Sequence, residues 1–230
     1  MDEAERLNRL NRLFYETTAE QFDLLRRGSW PGWHRLLAYL PTGRLTVLDV
    51  GCGNGRFGKF LMQQRGEIDY YGLDNNAVLL DYTQESMPDA RLELRDIVEQ
   101  PLTSADFSQK FDLVVLFGVL HHIPERKRRR DLVQTLGKLV KPGGIFAFTC
   151  WRFFEYERFR SRLRPVDLEP HDYLLDWRRG EPTMRYCHFI DNAEHEELVA
   201  ASALTEIARF RSDGETGDVN CYSVLGSGKL

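Results

Sequence analysis

Apolar positions follow two rhythms along this chain. Over residues 3–27 they recur at helical spacing, with Leu7, Leu10, Phe14, Phe22 and Leu25 forming a broken stripe. His34 to Leu40 predicts a second helix, stopped by Pro41. From Thr46 the rhythm changes to short apolar runs. Thr46–Val50, Ile68–Asp74 and Arg91–Ile97 read as strands, and Phe111–Phe117 is a continuous apolar run of the kind buried on both faces of a parallel sheet. The turn Lys141-Pro142-Gly143-Gly144 leads into a fifth strand, Ile145–Thr149. Helical spacing returns from Phe57 onward, from Asn75 or Asn76 through Tyr82, and over 125–140. This alternation predicts an α/β fold with a doubly wound parallel sheet. After residue 150 the alternation stops. Residues 151–190 are a long connection rich in aromatics and arginines, and connections of that length in a compact domain are usually functional. A helix capped by Asp191 or Asn192 follows, then Thr205–Phe210 and Val219–Leu225, joined by a loop with two glycines and expected as an antiparallel hairpin. The expected layout is one domain over 1–230: an N-terminal helical lid (1–44), a cofactor-binding core (45–150), a substrate-facing insertion (151–190) and a C-terminal helix and hairpin (191–230).

Composition narrows the class. A chain of 230 residues with 42% hydrophobic and 29% charged residues is globular. The net charge of -4 argues against a binder that holds nucleic acid by a uniformly basic surface, though not against a local patch. Cys52, Cys150, Cys187 and Cys221 lie far apart and form no C-x-x-C, and the neighbours His121 and His122 bring no further ligands, so no metal is expected. The charged N-terminus lacks a signal-peptide core and no apolar run reaches membrane-spanning length, which points to a reducing, cytoplasmic setting and no membrane.

The candidate chemistry starts at Thr46 to Gly58, an apolar strand with one acid, a glycine-rich turn and a helix start. Gly53 to Gly58 fits G-x-G-x-x-G, and Gly53 to Lys59 fits most of a P-loop, but Phe60 stands where a P-loop needs a hydroxyl for magnesium. Asp49 decides between the remaining readings. A carboxylate beside the loop repels a pyrophosphate and suits a cationic ligand such as S-adenosylmethionine, which carries an ammonium, a sulfonium and no phosphate. Asp74, about twenty residues on, stands where an acid accepts from ribose hydroxyls. Asp96 and Ile97 stand where a third strand meets an adenine. Gly51, Cys52, Gly53, Gly55, Asn75 and Phe117 complete the strand-end set, and Tyr15, Arg27 and Trp30 are the residues of the N-terminal segment placed to close over it.

Val47-Leu48-Asp49-Val50-Gly51-Cys52-Gly53-Asn54-Gly55, Asp74, the Leu-His-His strand exit and the Lys-Pro-Gly-Gly turn together resemble class I S-adenosylmethionine-dependent methyltransferases. The resemblance implies a Rossmann-like, seven-stranded, mostly parallel sheet with a C-terminal antiparallel hairpin, and S-adenosyl-L-methionine as cofactor. The flanks narrow it. Tyr15 to Trp33, with Arg27-x-x-Trp30-Pro31, and Asp176-Trp177-Arg178-Arg179 followed by Arg185-Tyr186-Cys187-His188-Phe189 resemble the wobble-uridine tRNA carboxymethyl methyltransferases. Those enzymes esterify a carboxymethyl group on the wobble uridine, and their eukaryotic members work with a small zinc-binding activator subunit. Cys187 stands where that family usually has a second tyrosine.

A carboxylate acceptor is already a nucleophile. Its site needs cationic donors and alignment rather than a base. Arg185 is the expected clamp, with His188 and His122 assisting. Trp151, Trp177, Arg178 and Tyr186 belong to aromatic-basic tracts suited to an unstacked base and nearby phosphates. For a neutral hydroxyl or amine, His121 or His122 could serve as base. The run Arg126–Arg130 reads equally as a solvated helix face or a phosphate contact. A small-molecule carboxyl or O-methyltransferase and a non-catalytic S-adenosylmethionine-binding protein remain the alternatives.

Overall fold

The computed structural model describes residues 2–25, 28–177 and 183–227. The N-terminal segment is α1 (Glu3–Leu25), followed by α2 (Pro31–Leu36) and a 3-10 turn at Leu37–Tyr39. Helix α2 starts three residues before His34, because Pro31 occupies its first position with φ already set and no N–H to satisfy. The core then runs β1 (Leu45–Val50), α3 (Arg56–Arg65), β2 (Ile68–Asp74), α4 (Ala77–Ser86), β3 (Arg91–Leu94), β4 (Phe111–Leu116), α5 (Arg126–Lys138) and β5 (Val140–Trp151). Asn76, rather than Asn75, caps α4, its side chain accepting from Leu79 N–H at 3.0 Å. The chain continues through α6 (Glu157–Arg160), β6 (Leu163–Pro165), β7 (Asp172–Trp177), β8 (Thr183–His188), α7 (Asn192–Ala201, capped by Asp191), β9 (Thr205–Ser212) and β10 (Asn220–Gly226).

Seven strands form one sheet in the order β3-β2-β1-β4-β5-β10-β9, with β1 to β5 parallel and β10 antiparallel to both β5 and β9. This is the expected Rossmann-like arrangement with its terminal hairpin. Three details differ. Strand β3 ends at Leu94 because the Asp96 carboxylate accepts from the N–H groups of Val98 and Glu99 and turns the chain. Lys141–Gly144 is no turn ahead of β5. It is a bulge inside it: Phe111 pairs with Val140 and Leu113 with Ile145, so the extra residues are absorbed on one strand. The long connection contains a second, antiparallel sheet, β6-β7-β8.

The continuous apolar run of β4 is explained by burial on both faces. Val114 and Leu116 pack with Phe146, Phe148 and the inner faces of α5 and α7; Leu113 and Val115 pack with Trp33, Phe57 and Phe60 on the other side. Asp213 ties α2 to the hairpin, accepting from Gly32 N–H, the Tyr222 hydroxyl and the Asn220 amide. We predict that Phe146→Ala, which empties a fully buried ring position, lowers unfolding free energy by about 3–5 kcal/mol. Leu94→Ser, on an exposed strand end, should change it by less than about 0.5 kcal/mol in the same denaturant titration.

Candidate active site

The carboxyl ends of β1, β2 and β4, closed from above by α1, surround a cavity of about 150 Å³. The loop after β1 can enter it only as glycine. Gly51 has φ +75°, and a Cβ there would lie 2.2 Å from the Val119 side chain. The N–H groups of Gly51 and Cys52 donate to Leu73 O at 2.7 and 3.0 Å, which ties the loop to the end of β2.

Two carboxylates are buried in this wall. Asp49 is fully shielded and accepts from the Tyr70 hydroxyl at 2.6 Å. Burial raises its carboxyl to about 7, against the lowering effect of the Tyr70 hydrogen bond; Asp74 raises it further and Arg56 lowers it. Asp74 accepts from Gly53 N–H at 2.8 Å on Oδ2 and from Asn76 N–H at 3.0 Å on Oδ1, with Asn75 N–H as a further backbone donor. Burial lifts it to about 6 despite those donors.

Among the residues singled out from the sequence, Tyr15, Trp30, Asp49, Gly51, Cys52 and Gly53 line the cavity. So do Asp74, Asn75, Asp96, Ile97, Phe117 and His122. Gly55 lies behind the wall, where its Cβ would meet Thr83. Arg27 and Arg178 lie outside the described residues. Asn8 and Asn11 were not anticipated. Asn8 donates to Asp96 at 2.9 Å, and Asn11 donates to His122 O at 3.2 Å while accepting from Tyr186 N–H at 2.7 Å. Their signal in the sequence is two amides three residues apart on the same helical face as Leu7 and Phe14. Arg56 was also missed; it lines the cavity with its guanidinium 4.8 Å from the Trp30 ring.

His122 is held in one orientation. Its Nδ1 lies 2.9 Å from Tyr186 O, which can only accept, and a longer 3.3 Å from Asn11 Nδ2, which can only donate; the shorter contact places the proton on Nδ1, and Nε2 lies 2.9 Å from the Tyr15 hydroxyl. Neighbouring His121 stacks toward Trp151, with ring centroids 5.1 Å apart.

Arg185, Trp151, Trp177, Tyr186 and His188 do not line the cavity. Arg185 sits in a box of its own beside it. Its guanidinium lies 5.0, 5.3 and 5.7 Å from the ring centres of Trp151, Phe14 and Trp177. It is 7% exposed, its Nε finds no acceptor, and among the described residues it makes no ion pair. Tyr186 and His188 point the other way. The Tyr186 hydroxyl donates to Asp172 at 2.7 Å, and His188 lies between Asp172 and Glu194.

The basic start of α5 is consumed internally. Arg126 pairs with Glu197, Lys127 with Asp131, Arg128 with Glu125 and Arg129 with Glu194; only Arg130, 3.8 Å from Asp131, is loosely held. Two groups of side chains bring three metal-ligand atoms within 4.8 Å of one another: His121, His122 and Cys187, and Glu169, Asp172 and His188. In the first, both His122 nitrogens face Tyr186 O and the Tyr15 hydroxyl; in the second, Arg129 and Tyr186 already occupy the carboxylates.

The chain has relatives among known proteins. A profile of the methyltransferase-domain family matches residues 48–146. A protein of Encephalitozoon cuniculi that carries the name of a methyltransferase is 31% identical over 76% of this chain and 77% of its own length. The chain belongs to the methyltransferases. A second relative of this methyltransferase, the tRNA (carboxymethyluridine(34)-5-O)-methyltransferase of Arabidopsis thaliana, is 28% identical over 60% of the chain but only 31% of its own length. The methyltransferase thus spans about a third of that relative. Its fold superposes on an S-adenosylmethionine-dependent methyltransferase of Clostridium acetobutylicum with a TM-score of 0.66, covering 94% of this chain and all of the other at 14% identity. Among the described residues, no helix of the methyltransferase is long and apolar enough to cross a membrane.

Tyr70→Phe removes the one side-chain donor that Asp49 has among the described residues. We predict that the Asp49 carboxyl then titrates above about 7, read from its carbon-13 chemical shift against pH. An unchanged midpoint would mean that the Tyr70 hydrogen bond does not tune it.

Proposed function

We propose that this methyltransferase uses S-adenosylmethionine to esterify a carboxylate, and that the carboxylate is the carboxymethyl group of a wobble uridine in tRNA. The donor is a cation with an ammonium, two ribose hydroxyls and an adenine. The cavity walls fit it: buried Asp49 offers its negative charge to the ammonium, Asp74 offers its carboxylate to the hydroxyls, and Asp96 beside Ile97 offers an acceptor and an apolar surface to the adenine. When bound, the cofactor supplies an electrophilic methyl group on sulfur.

Arg185 carries the acceptor assignment. Among the described residues this buried guanidinium has no counter-charge, which is costly, and a bidentate carboxylate is the ligand whose geometry matches its fork. The aromatic walls exclude water and leave flat faces for a base, Trp151 and Trp177 among them. A carboxylate oxygen takes the methyl group in line and exchanges no proton, so the chain needs no general base. This suits His122, whose Nε2 lone pair already faces the Tyr15 hydroxyl. The Arabidopsis relative's name supplies the uridine and the tRNA. A small free acid is the second reading, and the run Arg126–Arg130 favours it, since four of its five cations are already paired with carboxylates of the chain.

Three measurements test this. S-adenosylhomocysteine affinity, followed by calorimetry, should fall about tenfold per pH unit below about 7, because only ionised Asp49 attracts the ammonium. The sign for folding is the reverse. Without cofactor, ionising buried Asp49 destabilises the chain, a cost absent at acid pH, growing between 3.8 and about 7, and complete above that. Asp49→Asn should weaken binding by about 10- to 100-fold and remove the pH dependence. Arg185→Ala should lower kcat/KM by about 10- to 100-fold while sparing S-adenosylhomocysteine binding; unchanged turnover would remove Arg185 from the site. With methyl-labelled cofactor, label should appear in an alkali-labile ester on tRNA nucleosides. Label in small acids with unlabelled tRNA would leave the free-acid reading.

A further inference from the structure

Behind the acceptor side of the cleft lies a buried polar chain that the transfer chemistry does not use. His188 is 3% exposed. Its Nδ1 lies 2.6 Å from Asp172 Oδ1 and its Nε2 lies 2.7 Å from Glu194 Oε2. Both carboxylates have further donors. Asp172 also accepts from the Tyr186 hydroxyl at 2.7 Å and from Glu169 N–H at 3.1 Å, and Glu194 Oε1 accepts from Arg129 Nε at 2.6 Å. Arg129, fully buried on α5, further donates to Glu169 and to Ile123 O. Acceptors on both sides of the ring mean that both ring nitrogens donate. The charges agree: Glu169, Asp172 and Glu194 face Arg129 and His188, so a protonated ring leaves one negative charge uncompensated and a neutral ring leaves two.

The chain continues toward the active site through the backbone of one residue. Tyr186, anchored by its hydroxyl on Asp172, donates its N–H to Asn11 and accepts from His122 Nδ1. His122 then presents its Nε2 lone pair to the Tyr15 hydroxyl in the cavity wall.

We propose that His188 is a positioning residue: a buried imidazolium that, by holding Asp172 and Tyr186 in place, fixes which nitrogen of His122 carries the proton. Without the positive charge, the ring can donate to only one of Asp172 and Glu194, the other is left facing its lone pair, Asp172 and the Tyr186 hydroxyl bound to it shift, and the Tyr186 carbonyl no longer selects the His122 tautomer. The wall then loses its defined hydrogen-bond polarity at Tyr15. Burial alone would lower the His188 imidazole; the hydrogen bonds to Asp172 and Glu194 outweigh it and raise it above the ordinary histidine value. Arg129 opposes that rise and the Glu194 charge supports it.

The spectroscopic arm is independent of the acceptor's identity; only the kinetic arm rests on the methyl-transfer reading. In the full chain labelled with nitrogen-15 at histidine, His188 should show two protonated nitrogens at neutral pH and keep them to higher pH than an exposed histidine, and His122 should carry a proton on Nδ1. Glu194→Gln should bring forward the loss of the His188 proton as pH rises. His188→Gln, which keeps the size and one donor, should give His122 a mixed tautomer signature. It should lower kcat on the order of tenfold to a hundredfold while leaving S-adenosylhomocysteine affinity within about twofold. A singly protonated His188 in the unaltered protein at neutral pH would overturn the proposal. So would a His188→Gln protein with unchanged His122 signals, whether or not any acceptor has been identified.

Discussion

A charge taken out of water needs a partner of opposite sign, and that requirement organises the active-site end of this fold. Asp49 is buried at the end of β1 with a hydroxyl donor and no ion pair among the described residues. Arg185 is buried one layer away among aromatic rings, likewise without an ion pair. The free chain therefore carries two electrostatic deficits of opposite sign, in sites that ligands can complete. A cationic donor and an anionic acceptor together resolve both. Neither deficit is relieved by rearrangement, because each group is fixed from behind: Asp49 by the pairing of β1 with β2 and β4, Arg185 by its register opposite Leu175 on β7.

The remaining arginines show what the exception means. Arg129 is as deeply buried as Arg185, yet it has two carboxylates and a carbonyl. Arg152 has Glu155 and Ile190 O, and Arg162 has Asp176. Arginine in this chain is mostly structural cement, which accounts for a composition rich in arginine and a net charge of -4 at the same time. The proposed anion site lies where the cement is missing.

Much of this was legible in the sequence, and what was not has identifiable causes. The β1 loop, Asp74 and Asp96 could be placed because backbone geometry alone fixes them: a strand end, a positive-φ glycine and a following helix leave little choice. The β6-β7-β8 sheet was invisible because Asp172–Trp177 does not alternate; Asp172 and Leu175 are its buried positions, three residues apart. The bulge at Lys141–Gly144 carries the composition of a turn and lies within a strand, because β4 pairs on both sides of it. Asn8 and Asn11 hid in an ordinary amphipathic stripe, since a helical pattern shows which face is inward and not which inward residues meet a ligand cavity.

The tract Arg185-Tyr186-Cys187-His188 is the instructive case. As a sequence it reads as one cluster converging on one substrate. As β8 it has a period of two, so Arg185 and Cys187 share a face with Tyr173 and Leu175, while Tyr186 and His188 face the opposite way, over Asp172. One face meets the aromatic box; the other meets the buried salt-bridge network. Cys187 packs in the apolar cluster of Phe153, Leu175 and Phe189, where burial pushes its thiol up to about 11 despite the nearby Arg185. It is an inert packing group at a position where a tyrosine would need far more room. A contiguous motif on a strand thus supplies two faces: one lines the aromatic box around Arg185 and, one position along, the other joins the buried network. The Tyr186 peptide group stands between them, its N–H donating to Asn11 and its carbonyl accepting from His122.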